Sequence, residues 1–363
     1  MNNADQRSIL LFRSVLLGSA LTLMAWHQHQ PVAQGLGIQV NPDTPLHLAQ
    51  PRSKPDQILM ARLLSTHASV AFSPDGNFVA GVSPDMQVTL WNLHTGKVLH
   101  HFAGHTLPIL AIAISPDSKT LVTASHDKTI KLWNLQTGQE IDTLADHNDW
   151  VESLAISPDA SLLASGSGDR TIKLWRLSPQ NSAGKTAIVP PKTLKGHQDP
   201  IDALAISPDG RRLVSASWDE VRIWDLKTGQ WLKTLNAHDF GIKTLAISPD
   251  GKRLASGGGD KLVKIWDLST GELLLTLAGH EFGVSSILIT PNGNTLVSAS
   301  LDNTIRAWNL ATGKPTKVFP RQSSVVQTIA ISPDGKTLVS GSWGNVIKLW
   351  NLQTGQELST LVH

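Results

Sequence analysis

The chain of 363 residues has room for two ordinary domains or one large repetitive domain, and its apolar content of 40% is enough for a folded core. It contains no cysteine, which excludes disulfides, thiol nucleophiles, zinc–thiolate sites and iron–sulfur clusters. A formal net charge of +2, without a basic stripe, argues against nucleic-acid binding. The 12 tryptophans, beside no tyrosine, predict one residue copied at a fixed period.

The first 26 residues have the layout of a targeting segment. Arg7 and Arg13 precede the apolar run 14–26, which is shorter than the ~20 residues needed to span a bilayer as a helix. Three interpretations stay open: a signal peptide cleaved near residues 33–35, an uncleaved membrane anchor formed by residues 9–26, and a soluble apolar tail. The first two predict that the rest of the chain is exported to a periplasm, a lumen or the cell exterior.

Residues 27–56 contain five prolines and no apolar periodicity. This composition predicts an extended, unstructured linker.

From about residue 57 the chain copies itself seven times. The repeated tryptophans are Trp91, Trp133, Trp175, Trp224, Trp266, Trp308 and Trp350, spaced 42 residues apart except for one spacing of 49. The extra residues belong to the low-complexity stretch 178–191, which we expect to be a loop between units three and four.

Each unit divides into four short apolar segments separated by turn residues. Pro74-Asp75-Gly76 and Thr95-Gly96 are examples of the turns, in which Pro presets φ and Gly accepts a positive φ. Such segments predict antiparallel strands, and no segment has helical spacing long enough to compete. Because a single four-stranded sheet cannot bury both of its faces, the seven sheets must stack on one another around an axis.

The repeat resembles the WD40-repeat β-propeller family over residues 57–363. Its closing dipeptide is Trp-Asn in four units and Trp-Asp in two, whereas Trp175-Arg176 departs from both. The resemblance implies an all-β, seven-bladed β-propeller of four-stranded antiparallel blades.

Units two to six also repeat a His, a Ser or Thr, and an Asp before each Trp. The twenty residues are His105, Thr123, Asp127, Trp133, His147, Ser165, Asp169, Trp175, His197, Ser215, Asp219, Trp224, His238, Ser256, Asp260, Trp266, His280, Ser298, Asp302 and Trp308. The resemblance implies that each set of four, a tetrad, forms a hydrogen-bonded chain from Asp to His to hydroxyl to indole. A Ser-His-Asp hydrolase triad is the alternative, but five copies favour a structural strut.

The first and last units break this pattern. Unit one has Leu63 and Gly81 at the His and Ser/Thr positions, and unit seven has Gln322 and Gly344 at the His and Asp positions. We expect these two blades to be the softer ones. Residues 57–64 and 357–362 both read as a strand that would complete the last blade, and we favour 357–362 because it closes a smaller loop.

No other pattern predicts a catalytic, metal or cofactor site. Gly184-Lys185-Thr186 resembles the end of a phosphate loop, but Pro179 stands where its leading glycine belongs, and a metal site at His100, His101 and His105 is weakly supported. We therefore predict a non-enzymatic, monomeric scaffold that binds one or more proteins, with no nucleic-acid partner and no membrane contact beyond the N-terminus. The alternatives are a cell-envelope propeller with a structural or ligand-sensing role and a propeller-type hydrolase.

The resemblance also implies where partners dock. In that family, three positions per blade emerge on one face: three and five residues after the repeated His, and the one before the repeated Asp. The residues predicted for this top face are Trp150, Glu152, Asp202, Trp218, Leu110, His126, Lys243, Leu301 and Trp343. Trp150, Glu152, Asp202 and Trp218 belong to neighbouring blades, so we expect one apolar patch with an acidic rim. The alternative is that these indoles pack onto adjacent loops.

Overall fold

The computed structural model describes residues 69–83, 85–177, 189–344 and 346–361, and every regular element in these ranges is a β-strand. This part of the chain therefore holds no helix that could cross a membrane. The predicted targeting segment 1–26, linker 27–56, alternative strand 57–64 and most of the loop 178–191 lie outside the described residues.

The strands form seven antiparallel four-stranded sheets, each with its strands in chain order, so the predicted seven-bladed propeller is confirmed. Blade one contains β1 (Val70–Phe72), β2 (Phe78–Val82), β3 (Val88–Asn92) and β4 (Val98–Phe102). Blade two contains β5 (Ile109–Ile114), β6 (Thr120–Ser125), β7 (Ile130–Asn134) and β8 (Glu140–Leu144). Blade three contains β9 (Val151–Ile156), β10 (Leu162–Ser167), β11 (Ile172–Arg176) and β12 (Val189–Leu194).

The remaining blades repeat this arrangement. Blade four contains β13 (Ile201–Ile206), β14 (Arg212–Ser217), β15 (Glu220–Asp225) and β16 (Trp231–Asn236). Blade five contains β17 (Ile242–Ile247), β18 (Arg253–Gly258), β19 (Val263–Asp267) and β20 (Leu273–Leu277). Blade six contains β21 (Val284–Ile289), β22 (Thr295–Ser300), β23 (Ile305–Asn309) and β24 (Pro315–Val318). Blade seven contains β25 (Val326–Ile331), β26 (Thr337–Ser342), β27 (Val346–Asn351) and β28 (Glu357–Leu361).

The last blade is completed by the C-terminal segment. Strand β28 pairs antiparallel with β27, with Leu361 opposite Ile347, as the smaller loop predicts. All residues of β28 before Leu361 are exposed, so this outer strand is held mainly by its ladder to β27.

The turn between the first two strands of a blade follows from its sequence. In blade four, Asp209 accepts a hydrogen bond from the side chain of Ser207 and one from the backbone N–H of Arg211 at 3.0 Å. Gly210 has a φ of +67° and donates its N–H to the carbonyl of Ser207 at 2.8 Å. A left-handed φ at that position favours glycine, as the Ser-Pro-Asp-Gly pattern predicts.

The hydrophobic core lies between the blades. Each repeated tryptophan packs against apolar side chains of the preceding blade, and Trp133, for example, shares a cluster with Leu90 and Phe102 of blade one. The ring closes in the same way, because Trp91 of blade one packs with Val339 and Ile347 of blade seven. Every blade therefore depends on a neighbour to bury its face.

Candidate functional site

The repeated polar residues meet inside each blade, as blade three illustrates. His147 lies in the loop before β9, Ser165 on β10, Asp169 in the turn between β10 and β11, and Trp175 on β11. The Nδ1 atom of His147 is 2.8 Å from Oδ2 of Asp169, and its Nε2 atom is 2.8 Å from Oγ of Ser165. The indole N–H of Trp175 donates to the same Oγ at 2.9 Å. One hydrogen-bonded chain therefore ties the loop to two strands.

The charge of the aspartate fixes the direction of these hydrogen bonds. Burial alone would raise the pKa of Asp169, but hydrogen bonds from His147, Thr171 and the backbone N–H of Asn148 outweigh it and hold the pKa well below its usual range. An ionised carboxylate only accepts, so Nδ1 of His147 donates to Asp169, and in the neutral ring Nε2 then accepts the hydroxyl of Ser165. Each side-chain nitrogen and oxygen of this tetrad therefore has a hydrogen-bond partner within the blade.

Blades two, five and six repeat this geometry. The distances are 2.8–2.9 Å from His Nδ1 to Asp, 2.7–2.8 Å from His Nε2 to the hydroxyl, and 2.9–3.0 Å from the indole to the hydroxyl. The members are His105, Thr123, Asp127, Trp133, His238, Ser256, Asp260, Trp266, His280, Ser298, Asp302 and Trp308. In these three blades, too, hydrogen bonds outweigh burial and lower the pKa of the aspartate.

The Asp–His–Ser order is that of a hydrolase triad, but the hydroxyl is placed differently. Ser165 is completely buried, and its oxygen accepts the indole N–H of Trp175. A nucleophile must reach a substrate carbonyl and needs a free attack direction. The packing around Ser165 favours the structural strut over the triad.

Blade four corrects the predicted role of Asp219. Here Nδ1 of His197 is 2.7 Å from Oε1 of Glu220, while Nε2 is 2.7 Å from Oγ of Ser215, which accepts the indole N–H of Trp224 at 2.8 Å. Glu220, and not Asp219, is the residue that holds His197.

The cause is a shorter turn. Blade two has three turn residues between Ser125 and Thr129, whereas blade four has only Trp218 and Asp219 between β14 and β15. Glu220 consequently takes the strand position of Thr129, whose Oγ1 is 3.4 Å from Nδ1 of His105. That position faces the histidine, and a glutamate there is long enough to reach the ring.

The environment of His197 also differs from that of the other blades. Burial lowers its pKa to about 4, and the neighbouring Arg222 acts in the same direction, while Glu220 opposes both. Arg222 contacts Oε1 of Glu220 through Nε at 3.0 Å. The carboxylate of Glu220 thus serves two buried partners.

Blades one and seven depart from the tetrad in different ways: blade one fills the place of the hydroxyl with apolar side chains, whereas blade seven keeps the hydrogen bond from the indole of Trp350 to Ser340 at 2.9 Å. A Cβ on Gly81 would lie 2.4 Å from Cδ1 of Ile347 and 3.1 Å from the ring of Trp91, so these side chains fill the space of the missing hydroxyl. In blade seven, Ser342 donates its hydroxyl to Oε1 of Gln322 at 3.0 Å. Leu63 lies outside the described residues.

The His loops, whose sequences differ between blades, lie against the turns that carry the tetrad acids. The N–H of Gly168 donates to the carbonyl of Trp150 at 2.9 Å, and the N–H of Trp343 donates to that of Val325 at 2.9 Å. We call this surface, formed by the His loops and the turns between the second and third strands, the His-loop face. It corresponds to the predicted top face.

The two predicted anchor indoles are half-buried and lean on different neighbours. Trp150 stacks on His126 of blade two with ring centroids 5.6 Å apart, and it packs so closely over Gly168 that a Cβ there would lie 2.4 Å from the ring. The ring of Trp218 lies instead beside Gly241 of blade five. Each indole therefore contacts a different blade, Trp150 blade two and Trp218 blade five, and one shared patch with an acidic rim stays a prediction.

Other predicted residues of this face differ in accessibility. Leu110 is only 5% exposed and offers no docking surface, because it packs inside the ring on β5; its assignment to the face is corrected. Asp202 is also nearly buried and lies 3.5 Å from Nζ of Lys243, so it contributes little to an acidic rim. Glu152, His126 and Trp343 are half-buried, and Leu301 is exposed.

The most exposed aromatic residues of the face are ones that the three-position rule misses. Phe240 and Phe282 stand two residues after the repeated His in blades five and six, and both are exposed. The signal in the sequence is the pattern His-acid-Phe-Gly, which units five and six share. Within the described ranges, no group of three or more His, Asp or Glu side chains is placed to hold a metal ion.

Comparison with known families agrees with this architecture. A family model described as WD domain, G-beta repeat, matches residues 61–92, 96–134 and 138–176, and one described as IFT122 first beta-propeller matches residues 200–363. A search of curated proteins found no match to the chain. With seven four-stranded blades and these matches, the chain belongs to the WD40-repeat β-propeller family.

Proposed function

We propose that this propeller is a non-catalytic platform that binds one or more proteins through its His-loop face. WD40 propellers are typically protein-interaction scaffolds. The observation that carries the proposal is a division of roles in the repeat: the repeated polar groups are used inside the blades, whereas the His loops beside them carry different side chains from blade to blade. A rigid disc with variable loops is suited to recognition.

The buried hydroxyls support the non-catalytic part of the proposal. Ser165, Ser215 and Ser256 are each inaccessible to solvent or nearly so, and each accepts an indole N–H. A hydrolase would need one accessible nucleophile, and five equivalent struts do not supply it.

The experiment is affinity isolation of the full-length protein after chemical cross-linking. We expect specific proteins to be captured by the wild type, and fewer or less of them by Trp150→Ala/Trp218→Ala, because aromatic residues dominate binding energy at such faces. Trp231→Ala is the matched control, since that indole is 54% exposed at the start of the outer strand β16, away from the His-loop face. Absence of any specific protein with the wild type would refute the platform.

We also propose that the protein is exported and works as a monomer, with residues 9–26 as its one possible membrane tether. The basis is the sequence pattern of residues 1–26, which lie outside the described part. A fusion of residues 1–40 to a reporter that is active only outside the cytoplasm tests this placement.

A further inference from the structure

Blades five and six share a loop sequence that the other described His loops lack. It runs His-Asp-Phe-Gly at residues 238–241 and His-Glu-Phe-Gly at residues 280–283, whereas residues 105–108, 147–150, 197–200 and 322–325 carry other sequences. The backbone N–H of Glu281 donates to Asp302 at 3.0 Å, as the residue at this position does in blades two and three whatever its side chain, but the side chains of the acid and the phenylalanine take no part in the tetrad. A departure shared by two neighbouring blades, on the face where loops vary, points to recognition rather than to scaffold.

The apolar side chains of these loops form an exposed surface. Phe240 is 57% exposed, Phe282 48% and Leu301 49%. Blades three, four and seven carry Asp149, Asp199 and Ser324 at the position of the two phenylalanines. Large exposed apolar groups that lie together mark interaction sites, whereas single ones do not.

Two glycines make this surface continuous across the boundary between the blades. A Cβ on Gly259 of blade five would lie 2.7 Å from the carbonyl oxygen of Phe240. A Cβ on Gly283 of blade six would lie 3.2 Å from Cα of Gly259 and 3.7 Å from Cδ1 of Leu301. The two glycines thus let the loop of Phe240, the turn of Gly259 and the loop of Gly283 approach backbone to backbone, with Leu301 beside Gly283. We call Phe240, Phe282 and Leu301 the Phe patch.

The charges beside the Phe patch are predominantly negative. Asp239 and Glu281 precede the two phenylalanines and are exposed, and in the described part of the chain neither carboxylate forms a salt bridge. Lys261 contacts the patch directly, with Nζ 6.0 Å from the ring centroid of Phe282, whereas the nearby Lys243, beside Gly241, already lies 3.5 Å from the carboxylate of Asp202. The position of Lys261 shows that the ring of Phe282 accepts a cation over its face.

Resting on the proposed function, we propose that the Phe patch docks a short segment of a protein partner in which a bulky apolar side chain stands next to an arginine or lysine. The apolar side chain packs between Phe240, Phe282 and Leu301 over the glycine backbone. The basic side chain pairs with Asp239 or Glu281. Three anchors on two His loops and the turn after β22 suit a short segment, and the carboxylates of Asp239 and Glu281 against the ammonium of Lys261 favour a basic one.

The test is selection of a phage-displayed library of random 12-residue peptides on the full-length protein, followed by titration of the selected synthetic peptides. The selected peptides should carry Arg or Lys beside a bulky apolar residue. Phe240→Ala/Phe282→Ala should weaken their binding roughly 30-fold, the change expected for loss of a ~2 kcal/mol hot spot. Asp239→Asn/Glu281→Gln should weaken binding and remove most of its salt dependence.

The matched control is Leu107→Ala, which removes a 47% exposed side chain at the same loop position of blade two and should leave binding unchanged. The proposal is overturned if no specific peptide is selected, if the peptides lack basic residues, or if the Phe pair can be replaced without loss. Cross-linked capture by Phe240→Ala/Phe282→Ala separates the two hypotheses. Proteins still captured by this variant would leave the platform standing and the Phe patch refuted.

Discussion

Removing the carboxylate of Glu220 should destabilise the propeller far more than removing that of Asp219. Glu220→Ala takes away the 2.7 Å contact to His197 and the 3.0 Å contact to Arg222, whose side chains are 1% and 8% exposed. An unpaired buried polar group costs ~1–3 kcal/mol, and removal of one partner of a buried ion pair costs ~3–5 kcal/mol. Because Glu220 itself is partly exposed, we expect a loss of about 2–4 kcal/mol.

The assay is thermal unfolding followed by far-UV circular dichroism. At about 2 °C per kcal/mol for a domain of this size, Glu220→Ala should lower Tm by roughly 4–8 °C. Asp219→Ala removes an exposed side chain and should change the free energy of unfolding by ~1 kcal/mol or less, a shift of about 2 °C at most. Equal shifts in Tm, or a larger shift for Asp219→Ala, would show that Glu220 does not replace Asp219 as the hydrogen-bond acceptor of His197.

Two further outcomes follow from the hydrogen bonds of the tetrads, and a third follows from the sequence of residues 1–26. Asp169→Ala should lower the free energy of unfolding by ~2–3 kcal/mol, because it leaves the buried His147 without its acceptor. The control Asp85→Ala changes an exposed side chain and should cost less. Equal losses in urea titration would contradict the structural role of the tetrad. The pKa of His197 is lowered from 6.5 to about 4, so between these pH values the unfolded chain binds a proton that the folded chain does not. The free energy of unfolding therefore falls as the pH drops from 6.5 to 4, by up to about 3 kcal/mol. The stability advantage of the wild type over His197→Gln should shrink across that window, and a constant difference would refute the assignment. The fusion of residues 1–40 should give reporter signal that four Leu→Asp changes in the run 14–26 abolish, and a silent wild-type fusion would favour the soluble tail.

The repeat made the architecture predictable, because the sequence of every unit predicts the same strands and turns. The period of 42 residues predicts the seven sheets. The Ser or Thr four residues before each Asp, and the Trp six residues after it, predict which side chains meet in a tetrad. Blade four shows where this reasoning fails. The deletion between Ser215 and Trp224 is visible in the sequence, but which acid then faces His197 depends on how the hairpin closes.

The His-loop face was less predictable for a related reason. The accessibility of Trp150 depends on His126 and Gly168, and that of Trp218 depends on Gly241 of the next blade. Such contacts join loops that lie far apart in sequence. The rule of three positions per blade considers each blade alone and therefore cannot predict them. The exposed Phe240 and Phe282 were visible as a shared loop sequence, but only the structure shows that Gly259 and Gly283 bring their loops against the same turn.

The cluster that joins blade one to blade seven has a consequence for biosynthesis. Trp91 and Val79 are covered by Val339 and Ile347, which are made about 250 residues later. At ~5–20 residues per second, translation of that stretch takes roughly 12–50 s. For this interval Trp91 and Val79 lack the blade-seven side chains that cover them among the described residues. The described blades therefore form an open arc, which closes into a ring only after the last blade has emerged.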